Sequence, residues 1–385
     1  MTILQRFRTK FTLRRRIALL LGTLLLIAGL IFLVTYRDRM GLDLFTRLFA
    51  YDNEKGSVTY SHSFRSEDLF VGMDYKLLAS SDTQLQLFSG TGSSLLRIEQ
   101  LSFRSPALFT NGKQAVIYDA GGRTLYVIAK NKIAFTLELP SGQYILSATI
   151  NQNGWLAVTT KEDGHRGVIT IYNESYQRIL SRRLSDYYAI GAAVTPDCRG
   201  YYILAPGQSN GVFDSRLLFF AIDGSEDTKP KSQISVGDNV VLSLTSSNTR
   251  TWVLTDTGLF TLLSSGELAA RYDFQGSHLK RASLDGNEFA ALLLSPSQSG
   301  NTGTLVTVDY DGQVLGTLEL EEQVLSLSAA GRYVAVLTSN SLHLYTKELR
   351  EISSSDSIQG VRNLALFPDS TLALITDELV RLYIP

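Results

Sequence analysis

A turn followed by an apolar run recurs eight times between Met73 and Asp377. The segments are MDYKLLASSD, TNGKQAVIYD, NQNGWLAVTT, PDCRGYYILA, SNTRTWVLTD, LDGNEFAALLL, AAGRYVAVLT and PDSTLALITD. Each places Asn, Asp, Gly or Ser where the chain must reverse, then a run suited to a buried strand. Those runs begin at Tyr75, Gln114, Trp155, Tyr201, Trp252, Phe289, Tyr333 and Leu372, in steps of 39, 41, 46, 51, 37, 44 and 39 residues. That is the period of a four-stranded propeller blade.

A third strand follows in every unit, as in RTLYVIAK, GVITIYNE and GTLVTVDYDG, and seven units continue into an outer strand such as KIAFTLEL or QVLGTLEL. The eighth, Val361 to Pro385, stops after three. A blade one strand short leaves an open edge. The segment GSVTYSHSF, Gly56 to Phe64, precedes the first unit, belongs to none, and can supply the missing strand. The expected fold is therefore all-β: a propeller over residues 56–385 with eight four-stranded blades, closed by the 56–64 strand on the last blade. Seven blades are the alternative if Val361 to Pro385 packs differently.

Ahead of the repeats, Ile17 to Val34 is an uncharged run, and Thr35-Tyr36 extends it to a length that spans about 30 Å as a helix. It lacks the small-x-small cleavage site of a signal peptide, so residues 17–36 read as an uncleaved transmembrane helix. Arg6, Arg8, Lys10, Arg14, Arg15 and Arg16, with no acid among them, mark residues 1–16 as a basic cytoplasmic tail. The propeller is then extracellular. Residues 37–55 read as a juxtamembrane linker in which Leu42, Phe45, Leu48 and Phe49 share one helical face, either an amphipathic helix at the membrane surface or a hydrophobic cap packed under the propeller. With a formal net charge of −1 overall, the chain after the tail carries about −7. It has no basic footprint for nucleic acid, and none is expected as a partner.

This arrangement resembles uncharacterised membrane-anchored propeller proteins of Gram-positive bacteria, whose propellers are similar to quinoprotein-like and YVTN-type ones. The resemblance rests on periodicity over residues 54–385. The WD dipeptide, the sialidase S-x-D-x-G-x-x-W box and the quinoprotein AxDxxTGxxxW signature are all missing, so it implies a fold and an anchor but transfers no functional residue.

Motifs with chemical meaning are few. Gly207 to Gly211 matches G-x-S-x-G, but lies between two strands and not between a strand and a helix, as a nucleophile elbow requires. Asp309-Tyr310-Asp311-Gly312 lacks the remaining ligand spacing of a calcium loop and reads as a hairpin turn. His62, His165, His278 and His343 lie far apart in sequence, and the single Cys198 follows Pro196-Asp197 in a turn. No cofactor or metal is expected. Aromatic residues at the start of the second strand, Tyr75, Trp155, Tyr201, Trp252, Phe289 and Tyr333, recur too regularly for a ligand platform and read as packing between blades.

Three connections between second and third strands are long: Thr160 to Gly167, Ala205 to Asp214 and Ser295 to Gly303. In a propeller these share one rim, and binding tends to reside on such loops. His165, Arg166, Gln208, Ser209, Asn210, Gln298 and Asn301 are the candidate binding rim. If the closing strand leads in from the anchor, that rim points away from the membrane. The leading functional reading is a non-catalytic, membrane-tethered scaffold or recognition surface for another envelope protein. A cell-wall glycan bound in the central funnel is the alternative, and a hydrolase or lyase using funnel residues a second one.

Overall fold

The computed structural model describes residues 21–25, 27, 29, 58–209, 211–223, 229–300 and 302–385. Eight four-stranded antiparallel sheets follow one another around a ring. Seven use consecutive strands, from Leu69–Met73, Lys76–Ser80, Gln84–Phe88 and Ser94–Glu99 in blade 1 to Val324–Ala330, Tyr333–Thr338, Leu342–Thr346 and Glu351–Ser355 in blade 7. Blade 8 combines Asn363–Leu366, Leu372–Ile375 and Leu379–Tyr383 with Thr59–Ser61 as its outer strand. The expected closure is therefore present, with Thr59 opposite Arg381 and Ser61 opposite Leu379. Flanking bonds lengthen it: Leu382 N–H donates to Val58 O and His62 N–H to Glu378 O, at 2.8 and 2.9 Å.

The second strand of each blade is buried on both faces, which is why it reads as a continuous apolar run. Phe289–Ser295 is buried at every position. Alternate residues feed the two neighbouring interfaces. Tyr201 packs with blade 3 and Tyr202 with blade 5. Eight apolar clusters result, one for each junction in the ring. The recurrent aromatics belong to them: Tyr201, Trp252, Phe289 and Tyr333 are buried at blade junctions, with Trp155 and Tyr75 partly buried beside them. Phe64, carried in by the closing segment, is 2% exposed in the cluster between blades 8 and 1.

Strand direction fixes the two faces of the disc. Turns from first to second and from third to fourth strands lie on one face. Turns from second to third strands, and the connections between blades, lie on the other. Since Ser61 sits opposite Leu379, where the third strand begins, the chain enters at Val58 from the first face. The expected rim lies on the opposite face.

Residues 21–25, 27 and 29 are helical, with exposed Leu21, Leu24, Leu25 and Ile27. The rest of the 17–36 segment, the basic tail and the 37–55 linker lie outside the described residues. Among the described residues no helix is long and apolar enough to cross a membrane.

Two substitutions test the closure. Tyr60→Pro removes an N–H that the pairing with Val380 needs, and Phe64→Ala empties a junction site. Each should cost about 3 kcal/mol or more in urea unfolding. Unchanged unfolding in both would refute the closed ring.

Candidate functional site

The long connection of blade 4 is not the polar loop expected from its composition. The strands Gly200–Ser209 and Val212–Ala221 pair without interruption to Ser209 opposite Val212. Their neighbours stop short: the inner strand Gly191–Val194 pairs only as far as Leu204, and the outer strand Ser232–Ser235 only as far as Arg216. Ser215 is still held by the segment after the outer strand, its N–H donating to Gly237 O at 2.8 Å and its carbonyl accepting the Val236 N–H at 2.9 Å, and Ala205 is buried. Beyond them Gly207–Ser209 and Val212–Phe213 rise as a short two-stranded arm, about 10 Å high at about 3.4 Å per residue. The sequence signal was Asn210-Gly211, the strongest two-residue hairpin pair. Gly211 has φ +81, a conformation glycine adopts freely.

The arm is braced at its base. Asp214 accepts bonds from Ser235 Oγ at 2.6 Å and Arg216 Nε at 2.5 Å, and Arg216 reaches across to Gln208 O at 3.1 Å. These bonds, Ser235's foremost, hold the Asp214 carboxyl below its ordinary value. Farther out the arm is apolar: Val212 is 59% exposed and Phe213 43%.

More apolar side chains surround it on the same face. Tyr188 and Ile190, before the inner strand of blade 4, and Val240 and Leu242, at the start of blade 5, are all exposed. Leu242 sits at a register shift between Val241 and Ser243, which leaves it outside the ladder. Arg166 borders this patch with its guanidinium 5.0 Å from the centre of the Tyr188 ring. Sequence reasoning missed these four residues, three on connections between blades and Leu242 at the start of the strand that follows one, because it took only the second-to-third turns as rim. The signal was available in SDYYAIG and DNVVLSL, where bulky apolar residues occupy linking segments.

Of the expected rim, His165 and Arg166 in blade 3 and Gln208 and Ser209 in blade 4 are brought onto adjacent blades. Gln298 is two blades away, its carbonyl accepting a bond from Lys280 at 2.7 Å. Asn210 and Asn301 lie outside the described residues. The histidines do not converge. His62 accepts the Phe64 N–H at Nδ1 and so donates from Nε2 to Thr376 O, while His343 lies between Ser341 and Glu351. Cys198 is half-buried with Sγ 3.2 Å from Asn151 Nδ2, and burial pushes its thiol up. Asp309 caps its hairpin by accepting the N–H groups of Asp311 and Gln313. Among the described residues no three His, Cys, Asp or Glu are placed to hold a metal ion.

The ring encloses a cavity of about 720 Å³. Its walls are the ends of inner strands and the turns after them, so its mouth lies on the face where the chain enters. Side chains stitch one inner strand to the next around it. Asn111 Nδ2 donates to Asn151 O, Asn151 Nδ2 to Thr195 O, Ser246 Oγ to Val194 O and Asn248 Nδ2 to Asn287 Oδ1.

A model of a protein family of unknown function matches residues 47–381. A search of curated proteins finds no sequence match. Among solved structures the chain is similar to the C-terminal WD40 domain of Sif2, with TM-score 0.57 and 13% identity over 86% of this chain and all of that one. A eukaryotic initiation factor gives TM-score 0.53 and 12% identity over 84% of this chain and 90% of that one. Sqt1 of Saccharomyces cerevisiae gives 0.51 and 11%, covering 84% and 98%. These likenesses establish the propeller fold.

Replacing Gln208–Phe213 by Asn-Gly should leave the unfolding midpoint within about 2 °C, because no neighbouring strand pairs with the part removed. A larger drop would mean that the arm supports the disc. For Asp214, whose native pKa is depressed, the stability it adds is present above about pH 4. The difference between wild type and Asp214→Asn in urea unfolding should therefore shrink to nothing as pH falls through the native pKa; a constant difference would contradict this.

Proposed function

Since the chain belongs to DUF5711, a family of unknown function, its role must be read from its own surfaces, and we propose that it is a membrane-tethered scaffold that recognises another envelope protein. The observation that carries this is the blade 4 arm with the exposed apolar side chains around it. Val212 and Phe213 stand at the end of a braced hairpin, with Tyr188, Ile190, Val240 and Leu242 at its foot. An apolar group of this size, bordered by polar residues, is the composition of a protein-binding surface. Aromatic and branched side chains at its centre would act as anchors, with Arg166 and Gln208 on the polar margin. The Gly207–Ser209 edge, which no neighbouring strand pairs, offers backbone groups to a partner strand as well.

Tethering rests on the sequence. The apolar run from Ile17, preceded by six cationic residues, favours an anchor with a cytoplasmic amino terminus and an extracellular propeller. Such an anchor would feed the chain into the disc at Val58, on the face opposite the arm. The arm would then stand on the distal side. Similarity to a WD40 domain is compatible with a protein-binding role for this fold.

Photo-crosslinking probes at Val212 and at Lys130, a turn residue on the opposite face, test the proposal in intact cells of the source organism. A protein adduct from Val212, lost when Phe213 and Leu242 are both replaced by Asp and not formed from Lys130, is expected. Adducts to saccharide alone, or equal yields from both probes, would overturn it.

A further inference from the structure

The described side chains lining the central cavity include three that are charged. Asp74 is paired with Lys76 at 2.6 Å. The other two are Asp285, at the end of the blade 6 inner strand, and Lys113, in the first turn of blade 2. Three blades separate them in either direction around a ring of eight. They therefore lie on opposite walls.

Asp285 is held ready but not neutralised. Its Oδ2 lies 3.4 Å from Ser283 Oγ, and that oxygen in turn accepts the Ala329 N–H of blade 7 at 2.9 Å. The charged groups on the surrounding elements are engaged elsewhere. Arg281 donates to Val324 O, Lys280 donates to Gln298 O, and the Arg332 guanidinium lies over the Tyr333 ring. Arg250 and Glu288 occupy the adjoining turns of blades 5 and 6. The blade 7 strand facing Asp285, Val324–Ala330, carries no ionisable side chain. Among the described residues none of these forms an ion pair with Asp285. Lys113 is exposed, and its ammonium makes no hydrogen bond or ion pair among them either.

The remainder of the wall is neutral and rich in groups that hydrogen-bond, including Ser247, Asn248, Ser326 and Asn363. A carboxylate encircled by protein and a lone ammonium across from it form a dipolar cavity. A ligand of the reverse polarity supplies both missing countercharges. We propose that the central cavity binds a short peptide with free termini, its ammonium end on Asp285 and its carboxylate end directed to Lys113. This proposal does not depend on recognition by the arm, which lies on the other face.

The titration of Asp285 adds a signature. Enclosure by the blades pushes its carboxyl upward, with the Ser283 bond pulling the other way. The Asp285 side chain is itself exposed within the channel, which reduces this shift but leaves its direction upward. Affinity for an ammonium should therefore fall between pH 7 and pH 5, earlier than for an ordinary carboxylate.

The test is calorimetric titration of the purified full-length protein with alanine peptides of two to six residues. At least one should bind at pH 7, with affinity falling at least tenfold on amino-terminal acetylation or in Asp285→Asn, and less on carboxyl-terminal amidation or in Lys113→Met. In Asp285→Asn, acetylation should have no further effect. Asp285→Asn and Lys113→Met keep side-chain size, and an unchanged unfolding midpoint would show that the ring is intact. Binding that is indifferent to Asp285→Asn, or no binding by any peptide of the series, would overturn the proposal.

Discussion

The structure depends on one short pairing, Thr59–Ser61 against Leu379–Tyr383. Each of the other blades completes its four strands from consecutive sequence. Blade 8 does not, and without this contact the outer side of its third strand would present unpaired N–H and C=O groups beside an incomplete junction. The same segment delivers Phe64 into the cluster shared by blades 8 and 1. Backbone pairing and apolar burial thus close the ring together, and the closing strand's direction decides from which face the preceding chain arrives.

The two faces differ because their connections differ. First-to-second turns are tight and several adopt left-handed backbone, at Asp74, Tyr75, Cys198, Glu288 and Ser370. Their side chains and backbone join neighbouring inner strands around the cavity, as where Asp74 N–H donates to Gly112 O and Asn287 N–H to Gly331 O. Those first-to-second turns are short, polar and held in place from blade to blade. The opposite face carries the connections between blades, and there blade 4 rises past its neighbours. A disc with one apolar patch on one face and a polar mouth on the other would keep the two proposed contacts apart, one with a protein surface and one with a small ligand.

The repeat was legible because burial on both faces forces the second strand of every blade into a continuous apolar run, and because tight turns need Asn, Asp, Gly or Ser. Closure was legible from counting strands. The site was less so. Gln208 is polar where the strand stands clear of the disc, and polarity alone does not distinguish a protruding strand from a loop. Tyr188 and Leu242 gain meaning only when the ring brings two linkers beside the arm. Asp285 was not readable at all: it is one acid at a strand end, and its isolation depends on what seven other blades place around the same cavity.

The central claim is that the ring, entered at Val58, presents the arm away from the membrane. Labelling of intact cells with a membrane-impermeant maleimide tests it most directly, using Val212→Cys in a Cys198→Ser background and lysed cells as the control. The account predicts equal labelling of this position before and after lysis. Labelling that appears only after lysis would contradict it.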